Sequence, residues 1–328
     1  MARARARGFD WGVCSCSARP WTDGFPASFL PILFPLQLAY QTLDAIDGKQ
    51  ARRTNSSSPL GELFDHGCDA LNCAFSTATL SSTLMAGSSW ATWVQMWCTL
   101  LPFYFTTWEE YHTGVLYIGI INGPTEGLLT VGLVHLYAGI FGPAGLHKPL
   151  SDVTSLNPFS IIDPEITIAN AMIYSCCVVI VFTVLNSFLT VRKEINTTGK
   201  TTMAVAFAAT TPMIIQFIFA NAWVLIAPEA WHAAPRLFIV VQGFIFSKYT
   251  GRLILAHVCH HRYSPVETAL VPLILGFFNA IYPVFDQVTF LWAAFFFTFT
   301  QYAYMAYTVV TSITTFLGIK CFTIPYKK

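Results

Sequence analysis

Four aspartates, Asp44, Asp47, Asp65 and Asp69, stand at spacings that can do chemistry. Asp44 and Asp47 are three residues apart and Asp65 and Asp69 four apart, so each pair shares one side of a helix. The stretch between them, residues 53–60, is long enough to fold two helices into a hairpin and bring all four carboxylates together. So much negative charge in a low-dielectric place is tolerated only when cations neutralise it. Hard oxygen ligands select Mg²⁺ or Mn²⁺, which also bind a pyrophosphate. Gly48, Ala51 and Gly61 leave room for a ligand or a neighbouring helix to approach the backbone. Arg52 carries a planar guanidinium that can grip a phosphate through two parallel hydrogen bonds. A lone intramembrane Asp is often a packing or transport residue, and Asp-Gly alone marks a turn. Four carboxylates with Gly, Ala and Arg between them form a functional cluster.

A cation site of this kind can also be served by a side chain that accepts a proton. His66 sits between Asp65 and Asp69, and an imidazole suits general-base work near neutral pH. The competing role for His66 is support of a metal-binding carboxylate. Glu126 follows Asn122-Gly-Pro124 in a segment that is otherwise apolar apart from His135, and a carboxylate there needs a partner. Glu126 either orients His66, as the third member of a triad orients its base, or hydrogen-bonds a helix break in its protonated form. Other polar groups carry less. His257, Cys259, His260 and His261 lie at a helix exit beside Arg262, where an interfacial role is expected rather than a zinc site. Glu109, Glu110 and His112 are expected at a helix end facing solvent, and Phe295 to Phe297 facing lipid or core.

The elements that hold these residues are membrane helices. Of the 328 residues 54% are apolar and only 11% charged, against about 25% charged in soluble domains. With 28 Phe, the surplus apolar surface has to face lipid. Stretches of roughly 20 apolar residues predict an all-α polytopic bundle of about nine spans. They fall near residues 25–43, 63–86, 91–107, 115–141, a fifth ending near 191, 201–227, 236–258, 266–282 and 288–317. A polar, Pro-containing loop at 142–163 precedes the fifth. The nine cysteines include no C-x-x-C pair and read as small buried residues, not disulfides or zinc ligands. Residues 1–24 contain Arg3, Arg5, Arg7 and Arg19 but no apolar run that would make a signal peptide. A net charge of +1, with basic residues in short clusters, gives no reason to expect nucleic acid.

Orientation follows the basic loops. Lys49, Arg52 and Arg53 after span one, Arg192, Lys193 and Lys200 after span five, Arg262 after span seven and Lys320, Lys327 and Lys328 at the end all fall on one face. That face is expected to be cytosolic. The Arg-rich N-terminus lands on the other side, which an additional helix before residue 25 would correct.

The pattern Asp44-x2-Asp47-Gly48-x2-Ala51-Arg52-x8-Gly61-x3-Asp65-x3-Asp69 resembles the signature of the CDP-alcohol phosphotransferase family at every fixed position. The run from Asp47 through Arg52, Pro59 and His66 to Asp69 is most similar to the eukaryotic choline/ethanolamine phosphotransferase branch. Weaker resemblance continues through Asn122-Gly-Pro-Thr-Glu126-Gly to Phe316-Leu-Gly-Ile-Lys-Cys321. The resemblance implies that Asp44, Asp47, Asp65 and Asp69 hold two metal ions and that Arg52 contacts the CDP moiety. It implies transfer of phosphocholine or phosphoethanolamine from CDP-choline or CDP-ethanolamine to diacylglycerol, in the endoplasmic reticulum or Golgi membrane. A second copy of the chain is a further candidate partner. Residues 28–328 are then the catalytic membrane domain, while residues 1–27 match nothing in the family. Members carry at least one helix before the motif, so weak CDP-choline binding and poor stability are expected until an upstream helix is restored. Within the family, enzymes that use CDP-diacylglycerol to make phosphatidylinositol or phosphatidylglycerol phosphate are the alternative; an inactive fragment is another. A divalent-cation transporter would show two related halves, and none are visible.

Overall fold

The computed structural model describes residues 30–115, 123–154, 158 and 165–321. The segment at 1–29, which includes Cys14 and Cys16, lies outside the described residues with the expectations attached to it. The chain is an all-α membrane helical bundle. Its α-helices, in order, are α1 (Leu30–Thr54), α2 (Pro59–Thr83), α3 (Trp90–Thr113), α4 (Gly123–Phe141), α5 (Ile168–Thr198), α6 (Met203–Ala209), α7 (Thr211–Ile226), α8 (Pro228–Ala233), α9 (Pro235–Val258), α10 (Val271–Ile281) and α11 (Gln287–Leu317). Each apolar stretch of the sequence is met by a helix, and the stretch at 201–227 is two helices. By length and apolar composition alone, α5 and α9 can cross a membrane, and α6 with α7 makes a third span bent by 47°.

That bend has a local cause. Pro212 has no N–H, so the helix cannot run unbroken through Thr210. Backbone carbonyls freed in a membrane need partners from within the protein. Trp108 Nε1 donates to the Ala206 carbonyl at 2.9 Å, and the Tyr104 hydroxyl donates to that of Ala209 at 2.6 Å. Both donors come from α3.

At the centre stands α9, with 83% of its most apolar stretch buried, against 22% for α5, which turns a flank outward. α2 packs along α9, α3 on α5 and α1 on α4. At Gly243 α9 comes so close to α2 that a methyl group there would collide with Ala74. Small residues permit such backbone approach between membrane helices. Beyond α9, Lys248 Nζ donates to Glu267 Oε1 at 2.6 Å and to Gln301 Oε1 on α11 at 2.8 Å. Arg252 Nη1 reaches Glu267 Oε2 at 2.9 Å, so the buried carboxylate is paired twice.

The described cysteines are all free, as expected, with Cys98 Sγ on α3 lying 3.9 Å from Cys177 Sγ on α5. The expectation of burial is corrected for Cys68, Cys176 and Cys259, which are exposed. Apolar context marks a lipid-facing flank as readily as a core.

Candidate active site

α1 runs well past its apolar stretch, through the motif to Thr54, and its last turn carries Arg52 and Arg53. Basic side chains there complement the negative end of the helix dipole. Asn55 then takes a left-handed conformation (φ 52°), with its N–H bonded to the Arg52 carbonyl and the Ser56 N–H to that of Ala51. This six-to-one and five-to-two pair of bonds closes the helix end. After residue 57, Ser58 caps α2 by accepting from the Gly61 N–H at 3.2 Å, and Pro59 opens the first turn. The connection is therefore only residues 55–58, tighter than the 53–60 expected.

The turn sets the acids facing one another. Asp44 of α1 and Asp65 and Asp69 of α2 each offer an oxygen, and these oxygens lie within 4.8 Å of one another. All three are half-buried. Asp47 stands apart: it is exposed, and its Oδ1 accepts the N–H of Gly48. Three converging hard oxygens fit a divalent cation such as Mg²⁺. Arg52 is exposed one turn beyond, and a methyl group on Gly48 would sit 3.4 Å from its Nη1. Among the described residues no carboxylate pairs with that guanidinium.

Tyr40 was missed in the sequence. Its hydroxyl donates to Asp69 Oδ1 at 2.5 Å across the α1–α2 gap. The available signal was its place one turn before Asp44 on the same helix side. Such outer partners orient metal-binding carboxylates, and losing one typically costs 10–100-fold in affinity or activity. Tyr40→Phe is expected to raise the half-saturating Mg²⁺ concentration by about 10-fold. A titration of activity against Mg²⁺ checks it; an unchanged curve would leave Tyr40 a packing residue.

His66 lies on the rim of the acid cluster. Its Nε2 is 4.0 Å from Asp65 Oδ2, and its Nδ1 is 3.8 Å from Glu110 Oε2. This corrects the solvent-facing reading of Glu109 and Glu110, which are only 3% and 8% exposed. The reason is tertiary: the end of α3 tucks against the start of α2 and the end of α9. Glu110 also meets Glu62 and His257, the ligand atoms of these three lying within 4.8 Å of one another. His257 is thus half-buried and turned inward, whereas Cys259, His260 and His261 are exposed. The starts and ends that meet here belong to the face assigned to the basic loops. Glu126 lies on α4, but its side chain, like residues 116–122 with Asn122, falls outside the described residues.

The comparisons with known proteins bear on this site directly. The model of the CDP-alcohol phosphatidyltransferase family matches residues 32–120, which span the acid cluster, His66 and Glu110. Choline/ethanolaminephosphotransferase 1 of Arabidopsis thaliana is 36% identical over 329 aligned positions, covering 94% of this chain and 82% of that protein. The chain belongs to the CDP-alcohol phosphatidyltransferase family. Among other relatives, Choline/ethanolaminephosphotransferase 2 of the same plant is 34% identical over 89% of this chain and 78% of its own. Human Ethanolaminephosphotransferase 1 is 32% identical over 73% of this chain and 59% of its own. These helices supply clustered oxygens that could hold a cation, with an exposed guanidinium one turn beyond.

Proposed function

We propose that this chain transfers phosphocholine or phosphoethanolamine from CDP-choline or CDP-ethanolamine to diacylglycerol, releasing CMP and forming phosphatidylcholine or phosphatidylethanolamine. The observation that carries the reading is the convergence of Asp44, Asp65 and Asp69 beside His66, in a member of this family. Residues 28–328 act as one membrane domain, with the site at the cytosolic face of the endoplasmic reticulum or Golgi. Lys49, Arg52 and Arg53 beside the site support that orientation.

Two divalent ions, Mg²⁺ or Mn²⁺, would neutralise the acids and the pyrophosphate and stabilise charge on the departing CMP. Asp44, Asp65 and Asp69 would hold them, and Asp47 would join by rotating its exposed side chain. Gly48, Ala51 and Gly61 keep side chains out of the path of the nucleotide, and Arg52 grips a phosphate oxygen. His66 takes the proton from the diacylglycerol hydroxyl as its oxygen bonds to the phosphorus that carries the amino alcohol. The bond from that phosphorus to the bridging oxygen breaks, and the electron pair leaves with CMP. Glu126 assists His66 from α4. The decisive assay gives purified protein labelled CDP-choline or CDP-ethanolamine with diacylglycerol and Mg²⁺. Labelled phospholipid is the expected product; its absence with both donors, from protein that binds CMP, would overturn the assignment.

Arg52→Lys tests the phosphate grip. An ammonium keeps the charge but loses the planar fork. The apparent KM for the CDP-alcohol is expected to rise by about 10-fold, corresponding to roughly 1.4 kcal/mol, about the lower end of what one hydrogen bond to a charged group contributes. An unchanged KM would restrict Arg52 to neutralising the helix end.

A further inference from the structure

We infer that Glu110, at the end of α3, is a positioning residue for His66, and that His257 on α9 braces it from behind. The inference rests on the reading of His66 as the general base and adds a residue to that site. Glu110 is 8% exposed, and a carboxylate removed from water needs a polar or cationic partner. Its neighbours are two imidazoles and a carboxylate. His66 Nδ1 lies 3.8 Å from Glu110 Oε2, and His257 and Glu62 place ligand atoms within 4.8 Å of Glu110 and of each other. His257 Nε2 in turn lies 3.9 Å from Glu62 Oε1.

The two nitrogens of His66 are thereby given different surroundings. Nδ1 looks to Glu110, away from the acid cluster, while Nε2 is on the side of Asp65, 4.0 Å from its Oδ2. A carboxylate on the Nδ1 side favours a ring whose Nδ1 donates and whose Nε2 lone pair stays free. That lone pair faces the acids, where a proton would have to be received. Catalytic hydrogen bonds are often long before substrate arrives and tighten in the complex. The separation of 3.8 Å is of that longer kind. Three helices build the arrangement: α2 gives His66 and Glu62, α3 gives Glu110 and α9 gives His257. Neither the four-aspartate motif nor the segment around Glu126 contains Glu110, so its role is a separate one.

Glu110→Ala is expected to lower kcat about 100-fold, the lower end of the loss for a disabled base. KM for CDP-choline and the nucleotide-induced thermal shift should stay within about twofold of the parent, since Glu110 lies outside the group formed by Asp44, Asp65 and Asp69. Glu110→Gln, which keeps the volume and one acceptor, should recover part of the rate and is the variant to use if alanine unfolds the helix end. The deciding measurement is a double-mutant cycle with His66→Ala. If Glu110 acts through His66, its replacement costs nothing further once the imidazole is gone. The same fold-loss in both backgrounds would overturn the positioning role while leaving His66 in place. A His66→Ala enzyme with near-normal kcat would overturn the base assignment itself, and the positioning role with it.

Discussion

Replacing Asp44, Asp65 or Asp69 by Ala is expected to lower turnover by on the order of 10³-fold, and EDTA to abolish it in the unaltered protein. A bound cation contributes several kcal/mol of charge stabilisation at a phosphoryl centre, and each 1.36 kcal/mol is tenfold in rate. The oxygens of these three residues lie within 4.8 Å of one another, so no single one can be spared without leaving the others as uncompensated charge. Asp47 is a useful contrast. It is exposed and occupied with the Gly48 N–H, so it joins the site only by turning. Asp47→Ala should therefore raise the Mg²⁺ requirement and recover part of its activity in excess Mg²⁺, whereas the other three should not. Full turnover by EDTA-dialysed protein would remove the metal from the reaction altogether.

What could be seen in the sequence follows from the range of each interaction. The convergence of Asp44, Asp65 and Asp69 is local, fixed by helical spacing and a short connection, whereas Asp47, expected beside them, stands exposed and apart. Tyr40 belongs to the same class, since its place one turn before Asp44 was visible, although nothing signalled that it would reach Asp69. The inward turn of Glu110 and His257 was not visible. Glu110 was read as solvent-facing because it ends an apolar stretch, and only the packing of α3 and α9 on α2 encloses it. The split of the sixth stretch into α6 and α7 was hidden for a different reason. Apolarity continues unbroken through Thr210, and the partners for the freed carbonyls, Tyr104 and Trp108, come from a helix about 100 residues earlier. Distant polar contacts of this kind leave no periodicity behind.

His66→Ala should lower kcat by about 10²–10⁴-fold while CDP-choline binding persists. The diacylglycerol hydroxyl is a poor nucleophile until its proton has somewhere to go, and His66 is the imidazole at the acid cluster among the described residues, with Nε2 on that side. Binding should survive because the proposed nucleotide grip rests on other groups, the acids with the cations they would hold and Arg52. Thermal stabilisation separates the two effects. At about 100 times Kd a competent site gains about 2.7 kcal/mol from bound nucleotide. The variant should show that full gain with a crippled rate. If it loses the gain together with the rate, His66 supports the metal-binding carboxylates instead, and the proton acceptor must be sought elsewhere. Glu126 is then the residue to replace next.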